Sequence, residues 1–185
     1  MKRGRVIAGV VLAIGGLIVG RAVRRFGPPA RALSKSAELA GISLSKNDND
    51  PRLDRDFNDL TAAQKEDIRA YYRRLPSEYR NDLGTAVYAL GKNLTAPEDW
   101  AFLREVVAEP RCLSLADCAK GSPGAADGDD VTLAYPALVA LKQAQRVLES
   151  DSKNKDARSV IEAARKSQAP AVQRLIGRLD RKFPR

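Results

Sequence analysis

The side chains that most often perform catalysis in proteins are scarce in this chain. Its 185 residues include no histidine, which excludes Ser-His-Asp triads, imidazole metal sites and histidine general acid–base chemistry. Neither a glycine-rich phosphate-binding motif nor a G-x-S-x-G nucleophile motif occurs. The remaining candidates for chemistry are carboxylates and two cysteines.

Two pairs of carboxylates have a spacing that suits acid–base catalysis. Glu98 and Asp99 are adjacent, and Glu105 and Glu109 lie four residues apart, on one face of a helix. Carboxylates on amphipathic helices are usually solvated. We therefore name no catalytic residue, expect no enzymatic activity and no cofactor, and identify no small-molecule substrate.

Cys112 and Cys118 are the only cysteines, and five residues separate them in a polar loop. A structural zinc site needs four Cys or His ligands, so a pair of cysteines favours a small disulfide, with two free thiols or a metal site as the alternatives. A disulfide is typical of an oxidising compartment.

An acidic cluster in the same loop weakly resembles a calcium-binding loop. It contains Asp127, Gly128, Asp129 and Asp130. The full ligand spacing and the closing glutamate of an EF-hand are missing. We expect a solvated turn here, and no metal site.

The N-terminal segment from Val6 to Gly20 is fifteen residues without a charge. Extended to Val23, a helix would measure about 27 Å, close to a hydrocarbon core of about 30 Å. We predict that residues 1–25 form a membrane anchor or signal segment, and that residues 6–23 contact the membrane. A cleaved signal peptide and a buried or surface helix are the alternatives.

The charges that flank this segment do not orient it, because three cations lie on each side. With the cysteine pair, we expect a single-pass membrane protein whose helical domain is extracytoplasmic. The alternative is secretion after signal cleavage.

The net charge of +9 belongs mainly to the N-terminal segment. Residues 1–25 contain six cations and no acid, whereas the remaining residues contain 26 cations against 23 acids. Nucleic-acid binding usually requires a strongly basic domain. We therefore expect no nucleic-acid partner.

Proline, glycine and polar residues divide the rest of the chain. Residues 26–55 include Gly27-Pro28-Pro29 and a polar run at 45–51, which predict a flexible linker with one short helix within 32–44. Residues 56–185 predict one helical domain with a loop at 110–131.

Apolar residues in this domain recur at helical spacing, and no stretch alternates with the period of a strand. The fold class is therefore predicted to be all-α. The expected helix boundaries are a Thr61–Gln64 capping box, a second start at Pro76 and Ser77, a Thr95–Glu98 capping box, Thr132 as the cap of Leu133–Leu148, a helix within Lys153–Lys166, and a last helix from Pro170.

Two stretches resemble a HEAT-type helical repeat. They are DLGTAVYALGK at 82–92 and APEDWAFLREVVAEP at 96–110, with a fainter echo over 157–179. The resemblance implies antiparallel helical pairs in a short α-solenoid, or a small helical bundle, that binds other proteins. The leading hypothesis is a membrane-anchored, non-enzymatic binding module or scaffold. The alternative is a structural or envelope-associated protein whose basic surface contacts an anionic polymer or lipid.

The last predicted helix has two distinct faces. On a helical wheel its cations fall within about 100° of one another, and its apolar residues lie opposite. A basic face can grip carboxylate or phosphate groups, although the same pattern also occurs on ordinary solvated helices. The interaction candidates are Arg174, Arg178, Arg181, Lys182 and Arg185, opposite Val172, Leu175, Ile176, Leu179 and Phe183.

Overall fold

The computed structural model describes residues 34–45, 47, 49–121 and 129–184. Within these residues there are nine helices and no strand, which confirms the predicted all-α fold. The helices are α1 (Lys35–Leu44), α2 (Pro51–Arg55), α3 (Ala62–Arg74), α4 (Arg80–Gly91), α5 (Pro97–Ala108), α6 (Asp130–Leu133), α7 (Tyr135–Ser150), α8 (Lys155–Ala164) and α9 (Pro170–Lys182).

No helix in the described part of the chain combines the length and the apolar character that are needed to cross a membrane. The predicted membrane segment, residues 6–23, lies outside the described residues. Asp127, Gly128 and Arg185 lie outside them as well.

The short helix predicted within 32–44 is present as α1, but α1 and the unpredicted helix α2 both pack into the domain, so the linker interpretation is wrong for these two segments. Leu39 and Ile42 of α1 are almost fully buried, and α1 packs against α3 and α4. The Asp67 carboxylate accepts hydrogen bonds from Ser36 N and Ser36 Oγ at 2.9 and 2.8 Å. The polar composition of 45–51 predicted a linker, although the residues on either side of this run include apolar ones that are buried.

Side-chain hydrogen bonds cap the starts of α3 and α5, and at α5 the capping residue differs from the predicted one. The capping box of α3 is confirmed, since Thr61 N donates to Gln64 Oε1 at 2.9 Å and Gln64 N donates to Thr61 Oγ1 at 3.3 Å. At α5 the Asp99 carboxylate accepts from the backbone N–H groups of 95 and 96, both at 3.0 Å. The predicted Thr95–Glu98 capping box is therefore wrong, because the Thr95 hydroxyl is bound by Lys65 instead.

Two other helix starts also differ from the prediction. Residues 76–79 form a turn in which Tyr79 N donates to Pro76 O at 3.0 Å, so α4 begins at Arg80. Asp129 caps the short helix α6 by accepting from the N–H groups of 131 and 132 at 2.9 and 2.7 Å. Thr132 therefore lies inside α6 rather than at the cap of α7.

The core of the domain is built by helices that are distant in sequence. Among the described helices, α4 has its most extensive contacts with α7, and α5 has its most extensive contacts with α8. Helix α7 also contacts α5, α8 and α9, so it lies at the centre of the packing. The pair α4–α5 thus stacks on the pair α7–α8, and α9 closes the C-terminal end.

Candidate protein-binding surface

Helix α9 separates its apolar residues from its basic residues, as predicted. Proline occupies its first turn, where the missing N–H needs no partner. Four of the predicted apolar residues are at most 4% exposed, and the fifth, Phe183, is partly buried just after the helix. The cations Arg174, Arg178, Arg181 and Lys182 are exposed and form what we call the basic α9 face.

Two of the four cations of this face form ion pairs with other residues of the domain. Arg174 Nη2 lies 2.7 Å from Asp130 Oδ2, and Lys182 Nζ lies 2.6 Å from Glu149 Oε1. Lys182 and Gln145 lower the pKa of the Glu149 carboxyl by hydrogen bonding to its charged form. Among the described residues, no carboxylate lies within 4 Å of Arg178 or Arg181.

The two halves of the domain differ in charge. Residues 34–121 contain 13 Lys and Arg against 15 Asp and Glu, whereas residues 129–185 contain 12 against 7. The C-terminal helices α7, α8 and α9 are mutual neighbours, so this excess of positive charge is concentrated in space. This difference in net charge can be read from the sequence, but it is hidden when the charges of the whole domain are summed.

A groove of about 910 Å³ runs between α8 and α9 and reaches the end of α7. We call this depression the α8–α9 groove, and its apolar lining comprises Leu148, Ile161, Leu179, Phe183 and Pro184. Ionic side chains line it as well: Lys153, Arg158, Glu162, Arg165, Asp180 and Lys182. Only Lys182 among these groove residues was a sequence-predicted site residue. The lining residues of α7 and α8 become neighbours of those on α9 only when the helices pack.

A single arginine engages both acidic residues of the groove. Arg165 Nη1 and Nη2 donate to the two oxygens of Asp180 at 2.9 and 2.6 Å, and Arg165 Nε donates to Glu162 Oε2 at 2.8 Å. This fork raises the pKa of Arg165, chiefly through the Asp180 hydrogen bonds. It also ties α9 to the end of α8 and so fixes the width of the groove.

The adjacent carboxylates Glu98 and Asp99 do not form an acid–base pair. Glu98 is exposed, whereas the Asp99 side chain is only 1% exposed and binds Lys65 Nζ at 2.7 Å and Arg69 Nη2 at 2.9 Å. Burial opposes ionisation of Asp99, but hydrogen bonds from Lys65, from the backbone N–H groups of 95 and 96 and from Arg69 outweigh it and lower its pKa. Asp99 is therefore a structural counterion that joins α3 to α5.

The second pair, Glu105 and Glu109, also points to separate partners. Glu105 is exposed and binds Arg73 through both carboxylate oxygens, at 3.1 and 3.0 Å. Glu109 Oε1 instead accepts from Tyr72 Oη at 2.6 Å. Burial raises the pKa of Glu109 above its ordinary value of 4.5. Both carboxylates line a cavity of about 430 Å³ that also contacts Arg80 and the cysteine loop.

The cysteine loop is closed by a disulfide between Cys112 and Cys118, whose Cα atoms lie 4.2 Å apart. Leu113 N donates to Cys118 O at 3.0 Å, and this backbone hydrogen bond also closes the loop. Cys118 N donates to Glu78 Oε1 at 3.1 Å and so docks the loop on the turn between α3 and α4. The pair therefore has a structural role in this fold.

The described acidic residues of the predicted turn do not converge on a cation site. Asp129 caps α6, and Asp130 binds Arg174. No group of His, Cys, Asp and Glu side chains within the described residues has the arrangement of a metal site.

Comparisons with protein-family models, with curated proteins and with solved structures found no match to this chain.

Proposed function

We propose that this protein is a membrane-anchored, non-enzymatic helical-repeat module that uses the basic α9 face to bind an acidic region of another protein. The observation that carries this proposal is the state of Arg178 and Arg181. Both are exposed, and neither has a carboxylate partner within the described residues. Arginine in this state can form two hydrogen bonds to an incoming carboxylate.

The packing of the helices supports the interpretation as a repeat. In stacked two-helix repeats, first helices contact first helices and second helices contact second helices. The contacts of α4 with α7 and of α5 with α8 have this arrangement. On this interpretation the first unit is α4–α5, which carries the HEAT-like stretches, and the second unit is α7–α8 rather than the echo at 157–179.

The proposed location depends on two separate features. The apolar segment 6–23 supports attachment to a membrane. The disulfide between Cys112 and Cys118 supports an extracytoplasmic position for the helical domain, because cytosolic thiols are usually kept reduced. The binding module would then present the basic α9 face outside the cytoplasm.

The absence of enzymatic activity is part of the proposal and is supported by how the carboxylates are used. Asp99 is held by two cations, Glu105 is held by Arg73, and Glu109 accepts from Tyr72. A general acid–base pair would need two carboxylates that face one substrate position. Glu105 and Glu109 line one cavity, but each is already bound there, Glu105 by Arg73 and Glu109 by Tyr72.

The test is to recover the partner from detergent-solubilised native membranes with the tagged full chain. We expect the double variant Arg178→Gln/Arg181→Gln to lose a discrete protein partner. The matched control is Arg74→Gln/Arg111→Gln, which removes two exposed arginines from the acidic half of the domain, neither with a carboxylate partner among the residues that the structure describes. It should retain the partner.

The salt dependence of the same recovery separates the two function classes. A protein partner held by desolvated contacts should survive a salt concentration that screens exposed charges. If binding is lost at high salt and the protein instead binds anionic vesicles or polymer, the alternative of a structural, envelope-associated protein is correct. Equal loss of the partner in both double variants would contradict a specific role for α9.

A further inference from the structure

The α8–α9 groove offers an apolar surface at the bottom of a basic depression. Leu148, Ile161 and Leu179 are 1%, 7% and 2% exposed, so they form a closed floor. Phe183 is partly buried and stands at the edge of this floor. A volume of about 910 Å³ falls within the range of clefts that bind ligands, and this one is open on one side.

The ionic groups of the groove leave positive charge on its rim. Its two acids, Glu162 and Asp180, are already bound by Arg165. Lys153 is exposed and has no carboxylate within 4 Å among the described residues, whereas Lys182 is shared with Glu149. The groove is thus complementary to a negatively charged group.

Arg158 is held at this rim by backbone carbonyls rather than by an acid. Its Nε and Nη2 atoms donate to Ser152 O at 3.0 and 2.7 Å, and Nη2 also donates to Pro184 O at 3.3 Å. These bonds fix the guanidinium, and no carboxylate of the described residues lies within 4 Å of it. An arginine that is already oriented loses little conformational freedom when it binds a carboxylate.

We propose that the α8–α9 groove binds an acidic peptide segment of another protein, with one apolar side chain of that segment against Phe183 and the floor. This inference rests on the proposed function and names the chemistry of the partner. The carboxylates of the segment bind Lys153 and Arg158 at the rim. The segment continues toward the basic α9 face through Lys182, which belongs to both surfaces.

The concave shape favours a peptide over a membrane surface. A bilayer presents head groups on a broad, nearly flat surface, which would contact Lys153 and Lys182 but leave the floor unfilled. A peptide can place an apolar side chain in the groove while its acidic neighbours stay at the rim. Interfaces of this kind have a buried apolar centre and a polar rim.

The experiment measures fluorescence anisotropy of a labelled peptide with the full chain in detergent. The probe is a short synthetic peptide of Asp and Glu residues around one central Phe, compared with the same peptide carrying Ala at the centre. We expect Lys153→Glu/Arg158→Glu to weaken binding at least about tenfold. The control with the same charge change is Lys155→Glu/Lys166→Glu, whose lysines are exposed but do not line the groove, and it should weaken binding less than about twofold.

A second comparison tests the floor independently of charge. Phe183→Ala should weaken binding of the Phe peptide more than binding of the Ala peptide, because two side chains in direct contact show a coupling energy in a double-mutant cycle. Circular dichroism of each variant reports whether the helices remain folded. Phosphatidylglycerol vesicles are then added as a competitor, to test whether an anionic membrane occupies the same groove. We expect them to displace only a small fraction of the bound peptide.

Two outcomes would overturn the groove assignment. One is equal weakening by the groove variant and its lysine control, and the other is full displacement of the peptide by vesicles with no coupling at Phe183. If Arg178→Gln/Arg181→Gln alone abolishes recovery of the native partner while the groove variants retain it, the groove assignment is wrong but the proposed function stands. The assignment is supported if the groove variant loses both the peptide and the native partner while its lysine control keeps both.

Discussion

The ring of Tyr135 lies directly against the α-carbon of Gly84, so that a β-carbon at position 84 would overlap the ring. Seven residues later on the same face of α4, Gly91 has the same relationship with the side chain of Gln143. Both contacts join α4 to α7, the pair of helices with the most extensive packing. The two glycines therefore allow the close approach on which the centre of the fold depends.

We expect Gly84→Ala to destabilise the domain by about 1–3 kcal/mol, because the new methyl group at this buried position would displace the ring of Tyr135 from α4. The matched control is Gly41→Ala in α1, where a β-carbon would have no neighbour within 4 Å. There alanine should stabilise the domain by about 0.5–1 kcal/mol through helix propensity. Urea unfolding of both variants measures the difference. A stabilised Gly84→Ala protein would contradict the close packing of α4 on α7.

Replacing Asp99 should be among the most damaging single changes in the domain. Asp99→Ala leaves Lys65 and Arg69 buried without their shared counterion and removes the cap of α5. Breaking a buried ion pair in this way costs about 3–5 kcal/mol. The neighbouring exposed change Glu98→Ala should stay within about 0.5 kcal/mol of the wild type. Similar unfolding midpoints for the two variants would show that Asp99 is not the counterion described here.

The raised pKa of Glu109 predicts a specific dependence of stability on pH. Over the range between its ordinary value of 4.5 and its raised value, Glu109 holds a proton in the folded state more often than in the unfolded chain. The free energy of unfolding therefore falls as pH rises through this range. Relative to Glu109→Gln, the wild type should lose stability from about pH 4.5 upward. Parallel stability curves for the two proteins would contradict the burial of Glu109 beside Tyr72.

The disulfide should be present in the native protein and should stabilise the cysteine loop. Thiol labelling of the untreated protein is expected to find neither cysteine reactive. The Cys112→Ser/Cys118→Ser variant should lose about 2 kcal/mol on the loop-entropy account. A reducing agent should lower the stability of the wild type and leave the double variant unchanged. Two reactive thiols in intact cells would place the domain on the cytoplasmic side.

The proposed membrane attachment predicts that the full chain sediments with membranes and needs detergent for extraction. Deleting residues 1–25 should release a protein that keeps its helical circular dichroism spectrum, because the described helices all follow this segment. N-terminal sequencing of the native protein provides the control. A mature N-terminus near Ala32 or Leu33 would mean that the segment is a cleaved signal peptide.

The N-terminal part of the domain shows where composition misleads. The polar run at 45–51, together with Gly27-Pro28-Pro29, predicted a linker that extends to residue 55. Leu39 and Ile42 on one side, and Leu53 and Phe57 on the other, nevertheless enter the core. A short polar turn between two apolar stretches has the same composition as a flexible linker. The two can be told apart only by whether the flanking apolar residues pack against other helices of the core.

The sequence by itself determined the features of this protein that depend on local spacing. Helical periodicity predicted the all-α fold and the two faces of α9, because the side chains that share a helix face are set by the 3.6-residue turn. The capping box at Thr61 was predictable for the same reason, since its bonds join residues three apart.

The tertiary structure alone decided which charged groups are available for binding. Asp99 is buried and Glu98 is exposed, although they are adjacent, because α3 brings Lys65 and Arg69 to only one of them. On α9, Arg174 is paired with Asp130 and Arg178 is not paired with any described carboxylate. The α8–α9 groove likewise arises where α7, α8 and α9 meet. Such pairings join residues distant in the chain, so their energies depend on how helices pack and not on any periodicity within one helix.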